Sequence, residues 1–380
     1  LDVFANSKEV LNMTDLSVLL LTEPLRGGEV TDYAAALLNG LSERGVTVHL
    51  AAAGLPPASR NRCFVKAADR MTLFPALSWG WMNPWAFLKL RNWAVKHKPQ
   101  IIHGLSAFVE PSCRNLAKML GTPWLLTIHH YQNRGSLHAD HWCRGYVALS
   151  DALRTNLVNE ACVPKELITV LPLGIALPEL KEAPQPAAGT TAKALPLIVS
   201  CGALTERKDF PTLLRAARKV LDHCAGECHF LIAGEGPKER TLRRLRDELG
   251  LSRHVTFCTD DSFSDEVWAS AYIYVQPSLS DAFNIEVVTA AAWGAPVIAA
   301  ASGGLISQVT NGKNGFLFPP GDADALAEKI ILLLEDPDQR NALGEAGREL
   351  VSREYSLPKM LDNIVALYQK HAKPSGFVKK

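Results

Sequence analysis

No apolar run in this 380-residue chain reaches the length of a membrane-spanning helix. The first apolar stretch, Val18 to Leu21, is far shorter than the hydrophobic segment of a secretory signal and runs directly into Glu23 and Pro24. The two absences point to a soluble or peripheral protein. Charge of one sign is also missing: 40 Lys and Arg stand against 39 Asp and Glu, a formal net charge of +1. The balance removes any global case for nucleic-acid or acidic-polymer binding, so an electrostatic partner has to be met by a local patch. Eight cysteines are scattered through apolar and loop contexts rather than spaced as a small disulfide scaffold, which favours reduced thiols and a cytoplasmic setting. A dinucleotide fingerprint is absent too, because "AGEGP" lacks both the third glycine and an acidic ribose partner at the expected distance.

Alternation of strand and helix is what the chain does have. "LSVLLLTEP" has strand length, "TDYAAALLNGLSERG" has helical periodicity ending at Gly45, and "VTVHLAA" begins a second strand. The rhythm continues to "ITVLPLGI", where residues 178–196, "PELKEAPQPAAGTTAKALP", offer too few large apolar side chains to pack and read as a linker. Beyond it the alternation restarts at "LIVSCGAL" and runs to "FLFPP". Two sets of βα units around a linker imply an α/β protein of two doubly wound Rossmann-like domains, with ligands at the carboxyl ends of the strands, in the cleft between them. The expected division is a leader or disordered stretch at 1–14, a first domain at 15–177, the linker, a second domain at 197–357, a packing helix at 358–372 and a tail at 373–380.

Four strings of the second half, "GALTERKDFPTLLRA", "LIAGEGP", "PSLSDAFNIEVVTAAAWGAPVIAAASGG" and "NGKNGFLFPPGDADALAEKIILLL", together resemble the retaining family 4 glycosyltransferases of GT-B fold. "RGGEVTDYAAALLNGLSERGVTVHL" resembles the first βα unit of that family. The resemblance covers nearly the whole chain from residue 15 and, as an ordered set of motifs, is highly specific. It implies sugar transfer with retention from a nucleotide-sugar donor to a glycan or lipid-linked acceptor, and a last helix that crosses back to the first domain. It also implies no metal, since a lysine and helix ends can neutralise a diphosphate.

The resemblance assigns roles residue by residue. Lys208, with Gly202 before it and a helix start of Asp209, Phe210 and Pro211 after it, would face the donor diphosphate, Asp209 capping the helix. Asp281 takes the first acid position of the family's spaced pair and would hold the sugar together with backbone amides at Phe283 and Asn284. His129, at the end of "PWLLTIHH", would reach the sugar from the first domain. Gly234 would lie near the nucleotide, or would simply form a tight βα turn. Gly27 and Gly28 either admit an acceptor or phosphate close to the backbone or serve as a permissive turn.

The charges depart from the family pattern. Ala203 stands where an arginine is usual, Thr289 where the second acid would accept the ribose hydroxyls, and Ser307 where a third acid is expected. A missing charged contact costs about 1.5–3 kcal/mol of donor binding, and a missing group at the leaving diphosphate about 10²–10³ in turnover. Glu286, one helical turn before Thr289, and Arg207 are the candidates to substitute. Either the chain is an active transferase with a rearranged donor pocket, or it is a degenerate homologue that serves as a binding module or protein partner.

Three further clusters invite attention. "HHYQNRGSLHADHW" and "HCAGECH" gather histidines with acids or cysteines, but neither has a helical two-histidine metal spacing, and no metal site is expected. Trp79, Trp81, Trp85 and Trp93 alternate with Lys89, Arg91, Lys96 and Lys98, and from Arg60 to Lys98 there are eight Lys or Arg and one Asp. That mixture either meets an anionic membrane at the inner face or is a helix that buries its tryptophans and exposes its lysines.

Overall fold

The computed structural model describes residues 16–26, 28–54, 64, 70–75, 84–179, 195–259 and 264–373. Gly27, Trp79, Trp81 and the stretches 1–15, 180–194 and 374–380, on which the expected leader, most of the expected linker and most of the expected tail fall, lie outside the described residues. The chain divides into two compact units, Leu1–Leu173 with Leu357–Lys380, and Gly174–Ser356.

The first unit is built on β1 (Ser17–Thr22), β2 (Thr47–Ala52), β3 (Met71–Leu73), β4 (Ile101–Gly104), β5 (Trp124–Ile128), β6 (Cys143–Ala148) and β7 (Ile168–Val170). Helices α1 (Glu29–Glu43), α2 (Pro84–His97), α3 (Glu110–Leu120) and α4 (Asp151–Asn159) connect them. All strand pairs are parallel, in the order β3-β2-β1-β4-β5-β6-β7. A parallel sheet is covered on both faces, so its central strands need apolar side chains on both. β4 and β5 are buried at every residue.

The second unit contains β8 (Leu197–Cys201), α5 (Phe210–His223), β9 (His229–Ala233), α6 (Glu239–Glu248), β10 (Val255–Cys258), α7 (Asp265–Ser270) and β11 (Ala271–Gln276). It continues through α8 (Ile285–Ala292), β12 (Val297–Ala300), α9 (Leu305–Gln308), β13 (Gly315–Phe318), α10 (Ala323–Glu335) and α11 (Pro337–Glu354). The sheet is again parallel, in the order β10-β9-β8-β11-β12-β13. Ile198, Phe230, Ile273 and Ile298 on its strands pack with Phe210, Leu214 and Ala217 of α5 and Leu326 and Ile330 of α10 in one core.

The last helix, α12 (Leu357–His371), belongs to the first unit, where it lies on α1. Its face of Leu361, Ile364, Val365 and Tyr368 is buried. Arg44 Nε donates to Asp362 Oδ1 at 2.9 Å, and the Tyr368 hydroxyl lies 2.6 Å from His103 Nδ1 on β4. Lys373, placed by its sequence in the tail, is tied down: its amide donates to Gln100 O and its ammonium to Thr122 Oγ1.

Each sheet reverses direction once. Chain order leads outward from β1 through β2 to β3, then returns to the other side of β1 at β4; β8 and β11 stand in the same relation. At such a switch point the two loops leaving the strands diverge to opposite faces and open a crevice at the carboxyl edge, where ligands of doubly wound sheets bind. The candidate residues cluster at these two edges.

Candidate functional site

In the second unit, Gly202 follows β8 with φ 139°, a conformation that favours glycine. A Cβ there would stand 3.2 Å from Cε of Lys208, so the lysine stem lies across the glycine backbone. The chain then makes a 3-10 turn at Glu206–Lys208 and enters α5 through Pro211. Asp209 does not cap this helix as expected from sequence: its backbone is left-handed (φ 47°), and its carboxylate receives the Thr212 hydroxyl (2.7 Å) instead of a backbone amide.

The turn carries Arg207 and Lys208 toward the loop after β11. Lys208 Nζ donates to Asp281 Oδ2 at 2.9 Å, and Arg207 Nη1 donates to Asp281 Oδ1 at 2.8 Å and to Ser280 O at 3.0 Å. Asn284 Nδ2 adds a third donor to Asp281 Oδ2 (3.0 Å), while Asn284 Oδ1 caps α8 by accepting from Val287 N at 2.9 Å. Asp281 and Lys208 are buried, with side chains 2% and 8% exposed, whereas that of Arg207 is 48% exposed. Burying a carboxylate is tolerable only with such a set of donors. The cluster of two cations and one anion keeps a surplus positive charge, and its water-accessible part is the guanidinium.

The other candidates surround this cluster. Gly234, after β9, is needed for packing, because a side chain there would run into the Gly202 carbonyl. Phe283 is buried with its ring 6.1 Å from that of Tyr355, and the Asn284 amide donates to Gln308 Oε1 at 3.2 Å. Ala203 is exposed and brings no charge. The Thr289 hydroxyl turns back to Ile285 O (2.9 Å) and that of Ser307 to Gly304 O (2.6 Å), so both are spent on their own local backbone. Glu286 is half-buried in the first turn of α8; burial first, then the charges of Cys201 and Glu286, hold the Tyr274 phenol well above its ordinary range. A cavity of about 400 Å³ opens at the head of α6, lined by Gly236, Pro237, Glu239, Arg240 and Arg243.

In the first unit, Gly28 precedes α1 with φ 78°, and the space where its Cβ would stand is open. Glu29 follows and binds His129, one residue beyond β5, with Oε1 2.5 Å from Nδ1. A carboxylate can only accept, so Nδ1 carries the proton. Nε2 of His129 is buried and has no partner among the described residues. Beneath it runs a polar string: Tyr33 OH lies 3.2 Å from Thr127 Oγ1, which lies 2.7 Å from His103 Nε2, whose other nitrogen meets Tyr368. Burial first, then His129, pushes the His103 pKa down to about 3. His103 is therefore a neutral spacer holding β4, β5, α1 and α12 in register.

Among the described residues no group of three His, Cys, Asp or Glu is placed to hold a metal ion. Asp140 of the histidine-rich loop anchors that loop, accepting from Trp124 Nε1 (2.8 Å) and from the amides of Trp142 and Cys143. Cys224 and Cys228 bring their sulfurs within 3.6 Å of one another. On α2, Trp85, Leu88 and Val95 are exposed at 75%, 39% and 47%, with Lys89 and Lys96 also exposed. Trp93 turns inward instead and packs on His49, Phe74 and His97. No helix among the described residues is long and apolar enough to cross a membrane.

Sequence reasoning missed two pairings. Glu29 is visible in "RGGEV", but nothing in the string links it to a histidine 100 residues away. Asp281 was assigned to a sugar and Lys208 to a diphosphate; the structure pairs the two with each other.

Comparison with known proteins places these edges in context. Residues 27–178 match the family model Glycosyltransferase Family 4, and residues 184–350 match Glycosyl transferases group 1. The chain is 33% identical over 203 residues, 51% of its length, to a GDP-mannose-dependent monoacylated alpha-(1-6)-phosphatidylinositol monomannoside mannosyltransferase of Corynebacterium glutamicum, and spans about half (52%) of that relative. In its matches to curated relatives at 31 to 33% identity, the chain spans about half of their length or less. Its fold is that of a glycosyltransferase from Rickettsia africae (TM-score 0.80, 21% identity, 95% of this chain and 99% of that one). It is also that of Anabaena HepE in complex with UDP-glucose (TM-score 0.78, 17% identity, 93% of this chain and 100% of that one). The chain thus carries the family 4 and group 1 glycosyltransferase domains on two parallel-sheet Rossmann-like units of the GT-B type.

Proposed function

We propose that the protein is an active glycosyltransferase that moves a sugar, with retention, from a nucleotide-sugar to a hydroxyl of a glycan or lipid-linked acceptor. The observation that carries this reading is the Arg207, Lys208 and Asp281 cluster at the switch point between β8 and β11. Departure of a nucleoside diphosphate concentrates negative charge on its terminal phosphate, and fixed cations in a partly desolvated site stabilise that charge more in the transition state than in the bound donor. Asp281 gives the cations their positions before the donor arrives, so little reorganisation is needed at the moment of reaction. Support for the nucleotide comes from the GDP-mannose dependence of the corynebacterial relative and the UDP-glucose bound by HepE, which name different bases.

His129, with its proton on Nδ1, offers Nε2 to a hydroxyl of the sugar or the acceptor. No metal or other cofactor is assigned. The outward stripe of α2, apolar at Trp85, Leu88 and Val95 and flanked by Lys89 and Lys96, meets an anionic bilayer surface, where a lipid-linked acceptor would be found. The reading is tested by incubating the protein with UDP- and GDP-linked hexoses and a panel of glycan and glycolipid acceptors, with release of nucleoside diphosphate as the readout. Acceptor-stimulated release from at least one donor is the expected result. Tight nucleotide binding without release would leave a non-catalytic homologue.

A further inference from the structure

We infer that Cys224 and Cys228 form a reversible redox site, closed to an intrachain disulfide by a small-molecule disulfide and reopened by a thiol. The pair lies in the second unit at the amino edge of its sheet, where α5 ends and β9 begins. The Arg207, Lys208 and Asp281 cluster is at the other end of the strands, so the site is separate from the one described above. The two sulfurs stand 3.6 Å apart. A bridge holds them at about 2.05 Å, so closure asks for an approach of roughly 1.5 Å.

The local sequence brings the thiols together. At the end of α5 the Cys224 amide donates to Val220 O (2.9 Å), the Gly226 amide to Leu221 O (3.0 Å) and the Glu227 amide to Cys224 O (3.0 Å). Two successive left-handed residues, Ala225 (φ 51°) and Gly226 (φ 82°), turn the chain back at the helix end, and Cys228 arrives beside Cys224. Ala225 and Glu227 are exposed, so the turn rather than the core absorbs the movement of the sulfurs. The two thiols differ in access. Cys228 is fully buried within the apolar core of the unit, whereas Cys224 is half-buried at its margin. Burial first, then the neighbouring Cys224, pushes the Cys228 thiol up, so Cys228 is not the group that meets an oxidant from solution. Cys224, as its thiolate, attacks one sulfur of the small disulfide and expels the other as a thiolate. Cys228 then gives up its proton and attacks Cys224 Sγ, closing the bridge and expelling the second thiolate. The protein loses two electrons and two protons, and the small disulfide becomes two thiols.

Both cysteines fall on the tryptic peptide 220–238, which holds no other cysteine, so the full unmodified chain suffices for the main test. The native protein is incubated with glutathione disulfide, its remaining thiols are blocked with N-ethylmaleimide, and the peptide is weighed. The expected product is lighter by two hydrogen atoms and has lost both maleimide additions, and dithiothreitol given before the block restores them. Cys228→Ser should stop instead at a mixed disulfide of glutathione on Cys224, and Cys224→Ser should leave Cys228 unmodified. Titration against graded ratios of reduced to oxidised glutathione, in buffer and in urea, measures what the fold contributes: the native pair should close with an equilibrium constant at least about tenfold larger than that of the unfolded chain. A native peptide that stays open to maleimide, one that carries glutathione without closing, or a pair that closes no more readily folded than unfolded would each overturn the assignment.

Discussion

Asp281 illustrates how a residue's role depends on partners that no local string reveals. The spaced-acid position marks it as a candidate for holding a sugar, and in the fold its carboxylate gathers Arg207, Lys208 and Asn284 from two loops. His103 is a second case: it reads as one more apolar-strand residue in "PQIIHGL", but in the fold it is a buried, neutral hub. The unfolded chain takes up a proton at this histidine below about pH 6.5, whereas the folded chain does not until about pH 3. Through that window the unfolded state binds more protons, so acid lowers stability, by up to about 1.4 kcal/mol for each pH unit. His371, pushed down to about 4 by burial and then by Lys370 and Arg144, acts in the same direction. Glu110 opposes them, because burial raises its pKa and the folded chain holds that proton more readily. The melting temperature should therefore fall between pH 7 and pH 5, and His103→Gln should shrink that fall. An identical pH dependence in the variant would refute the assignment.

At the scale of elements most of the architecture was legible. Strand-length apolar runs alternating with helical periods mark both sheets, because a strand covered on both faces has to be apolar throughout. The cap of α8 was less legible, since Asn284 serves both as N-cap and as a donor to Asp281. At Asp209 the sequence misleads, because a left-handed backbone turns an apparent capping acid away from its helix. For α2, counting tryptophans could not separate an inward from an outward ring. Trp93 packs inward, whereas Trp85 is largely exposed and shares the outer face with Leu88, Lys89, Val95 and Lys96. The expected consequence is cosedimentation with phosphatidylglycerol-containing vesicles and not with phosphatidylcholine alone. Combining Trp85→Ala with Lys89→Glu should reduce it severalfold, since each basic residue near an anionic surface contributes about 1 kcal/mol. Equal binding to both vesicle types, or by wild type and variant, would refute this surface.

On the scale of the whole molecule, two sheets that each reverse once place the candidate groups at their carboxyl edges: His129 with Glu29 in one unit, Arg207, Lys208 and Asp281 in the other. The switch points follow from strand order, which alternation alone does not disclose. The three substituted positions, Ala203, Thr289 and Ser307, leave the second unit with fewer charges than the family pattern, and the remaining cluster is proposed still to bind a nucleoside diphosphate. Hydrogen–deuterium exchange with and without UDP or GDP tests this most directly. Added nucleotide is predicted to slow amide exchange in residues 202–208 and 278–284. Nucleotide that leaves those two segments unprotected, whether or not it protects others, would contradict it.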